Sequence, residues 1–364
     1  MSARHGNAPL WGALFVVAAS VLWGTTGTAA TFAPSVNPLA IGAVAMGVGG
    51  LLQAAYAARH IAAEYHGLRR RLPLVALAAA AVAVYPLAFY SSMHLSGVAI
   101  GTVVSIGSAP ITAALIERFT DHKPLTPRWI IGALLGVGGA ALLSFAGHSP
   151  AGAGSAGSWA STAGILLGLV AGGTYALYSW SAHRLIGGGV TSRAAMGSVF
   201  GLGGLLLMPV LALTGAPLLQ SWTNFAVGAY MALVPMFAGY VLFGWGLARI
   251  RASTATGISL LETVVAAVLA VLVVGERLPA LGWLGAAVVL GSLFILTPGT
   301  RRSKGRTRAK TSARGLLPLP PSGGRPVEEK AGAQRQQQDS HDDGGNGLAA
   351  DPRHDEDKAQ QAHH

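Results

Sequence analysis

The stretch "SLLETVVAAVLAVLVVGERL", Ser259 to Leu278, is almost wholly apolar and yet carries a carboxylate, Glu262, near its start. A helix of about 20 apolar residues is long enough to cross the hydrocarbon core of a bilayer. A charged group inside such a run costs at least about 2.5 kcal/mol on insertion scales and by default marks a pathway, a proton relay or a binding group. Reading this stretch as a membrane helix therefore fixes a fold class and also a place to look for chemistry.

The rest of the 364-residue chain agrees: 52% of it is hydrophobic and only 11% charged, against about 25% charged residues in an ordinary soluble domain. The charge is also segregated. Residues 1–300 hold 13 Lys/Arg and 5 Asp/Glu, whereas residues 301–364 hold 12 and 9. The basic balance thus belongs to loops and a tail rather than to one folded face, which argues against nucleic acid as a partner. The chain has no cysteine, so disulfides and thiolate metal sites are excluded.

Ten stretches have the length and polarity of membrane spans: 10–32, 38–58, 72–94, 97–116, 129–146, 163–182, 194–213, 225–247, 253–275 and 281–298. None alternates with the period of two expected of a membrane strand, so helices are implied. The first run continues to about Phe32, longer than a typical signal-peptide core, and is read as a retained helix. With the N-terminus in the cytoplasm, the cytoplasmic segments before the tail collect twelve Lys/Arg, among them Arg59, Arg69, Arg70, Arg71, Lys123 and Arg128. The outer segments collect only Arg277. That asymmetry is the positive-inside pattern, and it predicts a cell (inner or plasma) membrane protein with both termini cytoplasmic.

The chain also repeats. "MGVGGLL" (Met46–Leu52) returns as "FGLGGLL" (Phe200–Leu206), and "IGALLGVGG" (Ile131–Gly139) returns as "LGAAVVLGS" (Leu284–Ser292), at offsets of 154 and 153 residues. Five helices followed by five similar ones make an inverted repeat, because an odd number of crossings flips the second copy. Inverted repeats characterise secondary transporters, whose substrate site lies near the bilayer midplane. The expected organisation is all-α and polytopic: a first five-helix repeat over 1–147, an external linker over 148–162, a second five-helix repeat over 163–299, and a disordered cytoplasmic tail over 300–364. The tail is basic at its start, Pro/Gly-rich in its middle and acidic at its end, with too little apolar surface to fold.

Within the spans acidic residues are scarce. Glu64, Glu117 and Asp121 fall at or near cytoplasmic helix ends and Glu276 at the outer end of the ninth span, which leaves Glu262 alone at depth. It can serve proton coupling or pair with a substrate amine; the plainer alternative is a carboxylate hydrogen-bonded to Ser259 or Thr263 for packing. Aromatic residues form a second constellation in spans one, three, six and eight, with Trp23, Tyr85, Tyr90, Tyr175, Tyr178, Tyr240 and Trp245 as candidates for a substrate cavity and Phe89, Trp180 and Phe243 beside them. A buried indole or phenol needs a polar partner or a wet cavity. Trp11, Trp129 and Trp222 fit an interfacial belt instead. Signatures of metalloproteases, nucleophile-elbow hydrolases and ATP-binding loops are missing, so no catalytic residue, metal or cofactor is expected.

The run "LLETVVAAVLAVLVVGERL" resembles the penultimate helix of EamA-type carriers of the drug/metabolite transporter superfamily, whose pattern is Leu-Glu-Pro, a small aliphatic stretch, then Gly-Glu-Arg-Leu. "GSAPITAALIERFTDHKPLT", with Pro110 in the proline position, resembles the matching fourth helix, and "GILLGLVAGGTYALYSWSAHRL" (Gly164–Leu185) the sixth. The resemblance covers about residues 10–298. Here Thr263 takes the place of the proline after the glutamate, and an arginine often found midway along the second helix is absent among Gly42, Ala43, Val44 and Ala45. The resemblance implies a carrier of small organic metabolites or drugs, often an exporter, that works by alternating access without ATP. Its partners are then a small solute, the lipid bilayer and, through Glu262, a proton; the residues set no oligomeric state. Rival readings are an uncoupled facilitator of the same fold, a membrane-embedded enzyme and a non-transporting scaffold acting through the tail.

Overall fold

The computed structural model describes residues 8–146, 158–275 and 277–297. Ten helices run through them: α1 Ala8–Ala30, α2 Pro38–Ala63, α3 Leu72–Ser96, α4 Ile100–Thr120, α5 Pro127–Phe145, α6 Trp159–Gly187, α7 Ser192–Thr214, α8 Trp222–Leu247, α9 Ala252–Val274 and α10 Ala280–Leu296. The first nine are long and apolar enough to span a bilayer, and α10 is a shorter apolar helix. No strand occurs among the described residues. The expected tail over 300–364, most of the expected linker and Glu276 lie outside the described residues.

Each expected span corresponds to one helix, but several helices run beyond their apolar windows. α2 continues five residues past 58 to Ala63, α4 continues to Thr120, and α6 starts at Trp159 and reaches Gly187. Hydropathy marks the hydrocarbon slab, whereas a helix continues into water as long as its backbone ladder and polar side chains allow. The added turns carry Arg59, Glu117, Arg118, His183 and Arg184. They gather at the end of the bundle that holds the basic loops.

The packing has an internal two-fold logic. α3 packs along α6 and α8 along α1; α4 packs along α6 and α9 along α1; α7 packs on α3 and α2 on α8. Each of these pairs maps onto its partner when five helices are added or subtracted. Helices related by the repeat, α2 with α7 and α5 with α10, pack against each other, and they run antiparallel. Gly47 and Gly50 on α2 meet Gly204 on α7, while Ala57 meets Gly197. Gly132 on α5 faces Leu296 of α10, and Gly139 faces Gly285 and Val289. Ascending numbers on one helix thus meet descending numbers on the other, as an inverted repeat requires.

These seams depend on absent side chains. A Cβ added at Gly50 would lie 2.2 Å from the Phe200 carbonyl oxygen, and one at Gly139 would lie 2.8 Å from the Gly285 carbonyl oxygen. Water cannot drive helices together inside lipid, so close backbone approach of this kind carries the association.

At the basic end the helix termini are capped from neighbouring elements. Glu64 accepts a hydrogen bond from the Thr191 amide at 2.8 Å where α7 begins. Arg71 donates to the Gly188 carbonyl at 2.6 Å beyond α6, and Arg128 to the Ile295 and Thr297 carbonyls at 2.8 and 3.1 Å where α10 ends. An anion at a helix N-terminus and cations at C-termini complement the helix dipoles.

Candidate functional site

α9 is interrupted in the quoted stretch. Its first part, Ala252–Ile258, ends in a turn at Ser259 and Leu260, and a second helical piece starts at Leu261. The break is made without proline. Ser259 Oγ donates to the Thr256 carbonyl at 2.8 Å, and Thr263 Oγ1 to the Leu260 carbonyl at 2.7 Å. The Glu262 amide reaches back three residues to the Ser259 carbonyl at 3.0 Å. Serine and threonine hydroxyls compete for helix carbonyls in this way and bend the backbone. The interruption puts Glu262 in the first turn of a half-helix, where the dipole favours a negative charge.

Glu262 is half-buried. Neither Ser259 nor Thr263 binds its carboxylate, since both hydroxyls donate to backbone or, for Ser259, also accept from Tyr175. No ion pair joins it among the described residues. Its charge lies within electrostatic reach of the phenols of Tyr85, Tyr175 and Tyr240.

The expected aromatic residues converge on this point from four helices. Trp23 of α1 donates its indole N–H to the Pro235 carbonyl at 2.9 Å and packs against Tyr240 with ring centroids 4.8 Å apart. Tyr175 of α6 donates to Ser259 Oγ at 2.9 Å. Tyr178 shares a 2.8 Å hydroxyl–hydroxyl hydrogen bond with Tyr240 of α8. Tyr85 of α3 packs against Tyr175 and Tyr178 at 5.6 and 6.0 Å, and Phe89 links Tyr85 to Tyr90. Tyr90 in turn fills the space left by Gly42 on α2. Each buried phenol or indole at the centre thus has the polar partner that its burial requires.

Trp245 does not join them. It packs edge-on against Phe15 at 5.3 Å, and its carbonyl accepts from Arg249 at 2.6 Å, toward the basic end. Trp180 also points away, donating its indole N–H to Asp121 at 3.0 Å. Phe200 of α7, by contrast, belongs to the cluster, 4.3 Å from Tyr240 and 5.4 Å from Tyr178. The sequence had shown it only as the start of a glycine-rich packing motif.

Exposure is graded across the cluster. Phe200, Tyr178, Tyr240 and Phe243 are buried, between 0% and 4% exposed, and they lie about one to three turns from the basic-loop ends of their helices. Deeper from that end, Tyr175 and Trp23 are buried as well, at 2% and 6%, whereas Tyr85, Phe89, Tyr90 and Glu262 are half-buried. Buried rings on α6, α7 and α8 thus lie between the level of Glu262 and the basic end.

A second acidic residue is buried at that end. Glu117 is 1% exposed, and its two oxygens accept from the Ser253 amide at 3.2 Å and the Ser253 hydroxyl at 2.6 Å. It ties α4 to the start of α9. The sequence placed Glu117 only at a helix end, because its partner lies 136 residues away.

A bundle of ten apolar helices in an inverted arrangement is an architecture of membrane transporters, and a carboxylate without an ion pair among the described residues lies in a discontinuous helix at its centre. The comparisons agree. The model of the EamA-like transporter family matches residues 10–145 and again 162–297, and the chain belongs to that family. It is 34% identical over 292 residues to the "Uncharacterized transporter YwfM" of Bacillus subtilis (strain 168), covering 80% of this chain and 95% of that one. It is 28% identical over 302 residues to a "Probable terminal-alkyne amino-acid exporter" of Streptantibioticus cattleyicolor, covering 79% and 95%. A solved crystal structure of a protein superposes with a TM-score of 0.64 at 19% identity, over 79% of this chain and 96% of that one, and shows the fold alone. The protein is a multi-pass membrane transporter of small molecules, not an enzyme.

Proposed function

We propose that this chain exports small amine-bearing organic solutes by alternating access, with Glu262 taking either a proton or the solute's ammonium group. The observation that supports the reading most is the state of Glu262. It sits half-buried after a helix break, is not claimed by its neighbouring hydroxyls, and lies within electrostatic reach of three phenols. A carboxylate in an apolar interior is costly unless something cationic neutralises it. A proton and an ammonium are two ways to do so, and their competition for one group couples their movements. Aromatic rings of the neighbouring cluster would add attraction for a cation bound there. The exporter named above acts on an amino acid, which is consistent with an amine at this site.

In this reading the plug of Tyr178, Tyr240, Phe200 and Phe243 closes the path to the basic-loop side. Transport then requires the Tyr178–Tyr240 hydrogen bond to break as α6 and α8 separate. The moving halves are then the two repeat-related groups that pack together, α6 with α3 and α4 on one side and α1 with α8 and α9 on the other, with Trp23, Tyr85, Tyr90 and Tyr175 lining the site and Trp245 outside it.

The test is flux in proteoliposomes preloaded with a panel of radiolabelled amino acids. Efflux of at least one of them should accelerate when the outside is made acidic relative to the lumen, for transporters inserted so that solute and proton exchange. A protonophore should remove the acceleration. Rates that ignore the gradient for every solute moved would sink the coupling.

Orientation has its own check. The basic loops should face the cytoplasm, which puts both termini there, in the inner or plasma membrane. A side chain added at Gly67 meets nothing within 4 Å, and the chain has no other thiol. Gly67→Cys should therefore resist membrane-impermeant thiol reagents in intact cells and react after the membrane is permeabilised. Labelling in intact cells would reverse the topology.

A further inference from the structure

The basic end of the bundle holds a cleft of about 450 Å³, distinct from the Glu262 site. The start of α1, the loop between α4 and α5, the junction of α8 with α9 and the end of α10 frame it. Lys123, Arg128, Arg249 and Arg251 line it, against one carboxylate, Glu117.

Few counter-charges stand beside these cations, because their hydrogen bonds go mainly to neutral groups. Arg128 donates to carbonyls at the end of α10, and Arg249 to the Trp245 carbonyl while lying 5.2 Å over the Phe15 ring. His183 is held by the Leu247 carbonyl through its Nδ1–H at 2.7 Å. Lys123 stands 3.8 Å from Asp121, a carboxylate already bound to Arg184 at 2.6 Å. Arg251 is exposed and makes no ion pair among the described residues. Glu117 has both its oxygens on Ser253, and the four cations outnumber this single carboxylate in the lining.

One donor in the wall is unused. The indole N–H of Trp129 is buried and finds no acceptor among the described residues. A buried donor without an acceptor costs free energy, and an anionic oxygen is a strong acceptor for it in a cleft that arginines also line.

We propose that this cleft is an entry binding station for an anionic oxygen group of the transported solute, so that the substrates bear a carboxylate or phosphate in addition to an amine. The proposal rests on the carrier reading of the Glu262 site. The cleft collects the solute by its anionic end at the basic face, before the plug opens toward Glu262. Its volume suits a small organic molecule, and the apolar side chains of Pro124, Leu125, Ile250 and Ile295 in its walls suit the carbon skeleton.

The test uses the full chain purified in an uncharged maltoside detergent. Succinate and its neutral diamide, succinamide, are titrated at constant ionic strength, with tryptophan fluorescence and the unfolding midpoint as readouts. Succinate should give a saturable response and succinamide none. Arg251→Gln should weaken half-saturation about tenfold, the size of one charge-assisted hydrogen bond. Trp129→Phe should remove the fluorescence change, and Arg277→Gln, on the opposite face, should leave both readouts unaltered.

A response that follows ionic strength alone, or that survives Arg251→Gln, overturns the station. So does silence toward succinate combined with a response to added phosphatidylglycerol that Arg251→Gln abolishes, which would make the cleft a lipid-headgroup site. Failure of the carrier reading looks different: succinate would bind, yet the reconstituted protein would move no solute.

Discussion

Glu262→Gln is expected to lower gradient-driven transport about a hundredfold, the loss of a charge-assisted contact of roughly 3 kcal/mol, and to erase the dependence of the remaining rate on pH. Glutamine keeps the size of the side chain and one acceptor oxygen, replaces the other oxygen by a donating NH2, and fixes the neutral form. Folding should survive, because a neutral amide is easier to bury than a carboxylate. The half-helix that starts at Leu261 loses only the favourable interaction of a negative charge with its N-terminus, about 0.3–1 kcal/mol. Membrane yield and the unfolding midpoint should therefore stay close to those of the parent, which separates loss of mechanism from loss of fold. Exchange of solute across the membrane without a gradient is expected to persist in part, since the aromatic cluster remains. Parent-like transport by the variant across the pH range, at equal expression, would make Glu262 a packing group.

That carboxylate was legible in the sequence because it contrasts with its surroundings, as ten apolar runs contrast with the loops between them. The inverted arrangement was legible too, since two glycine motifs recur at nearly the same offset and the crossings per repeat are odd. What escaped was chemistry that depends on distant partners or helical phase. The break in α9 is made by Ser259 and Thr263 hydroxyls on carbonyls three residues back, and such residues read as ordinary helix when the family's proline is absent. Glu117 looked like a solvated helix end until Ser253 closed over it.

Phase explains Trp245. At about 100° per residue, Tyr240 and Phe243 share a face of α8, while Trp245 falls two residues beyond Phe243 and points to the other side. The same spacing carries Trp180 away from Tyr178 on α6, toward Asp121. A phase count on α6 and α8 would have removed both from the cavity. Phe200 could not have been found that way, because its role depends on which face of α7 the Gly50 seam presents to α8.

That seam carries the largest expected effect on stability. Gly50→Ala should destabilise the protein by about 3 kcal/mol, the upper end of ordinary overpacking. The added Cβ would lie 2.2 Å from the Phe200 carbonyl oxygen and 3.0 Å from its carbon, and 3.4 Å from the Gly204 Cα. None of these atoms is the end of a flexible side chain, so α2 and α7 must move apart as backbones. Separation forfeits dispersion contact along the whole crossing, which inside lipid has no hydrophobic gain to offset it. Moving α7 also shifts Phe200, whose ring lies 4.3 Å from that of Tyr240, so the plug should loosen and solute should leak without a gradient. Gly138→Ala is the matched control. Nothing lies within 4 Å of a Cβ at Gly138, whereas a Cβ at the adjacent Gly139 would press on Gly285 and Val289. Unfolding midpoints in detergent should therefore fall for Gly50→Ala and Gly139→Ala and hold for Gly138→Ala. A Gly50→Ala protein that melts with the parent and holds its solute would show that α2 and α7 do not meet backbone to backbone in the membrane.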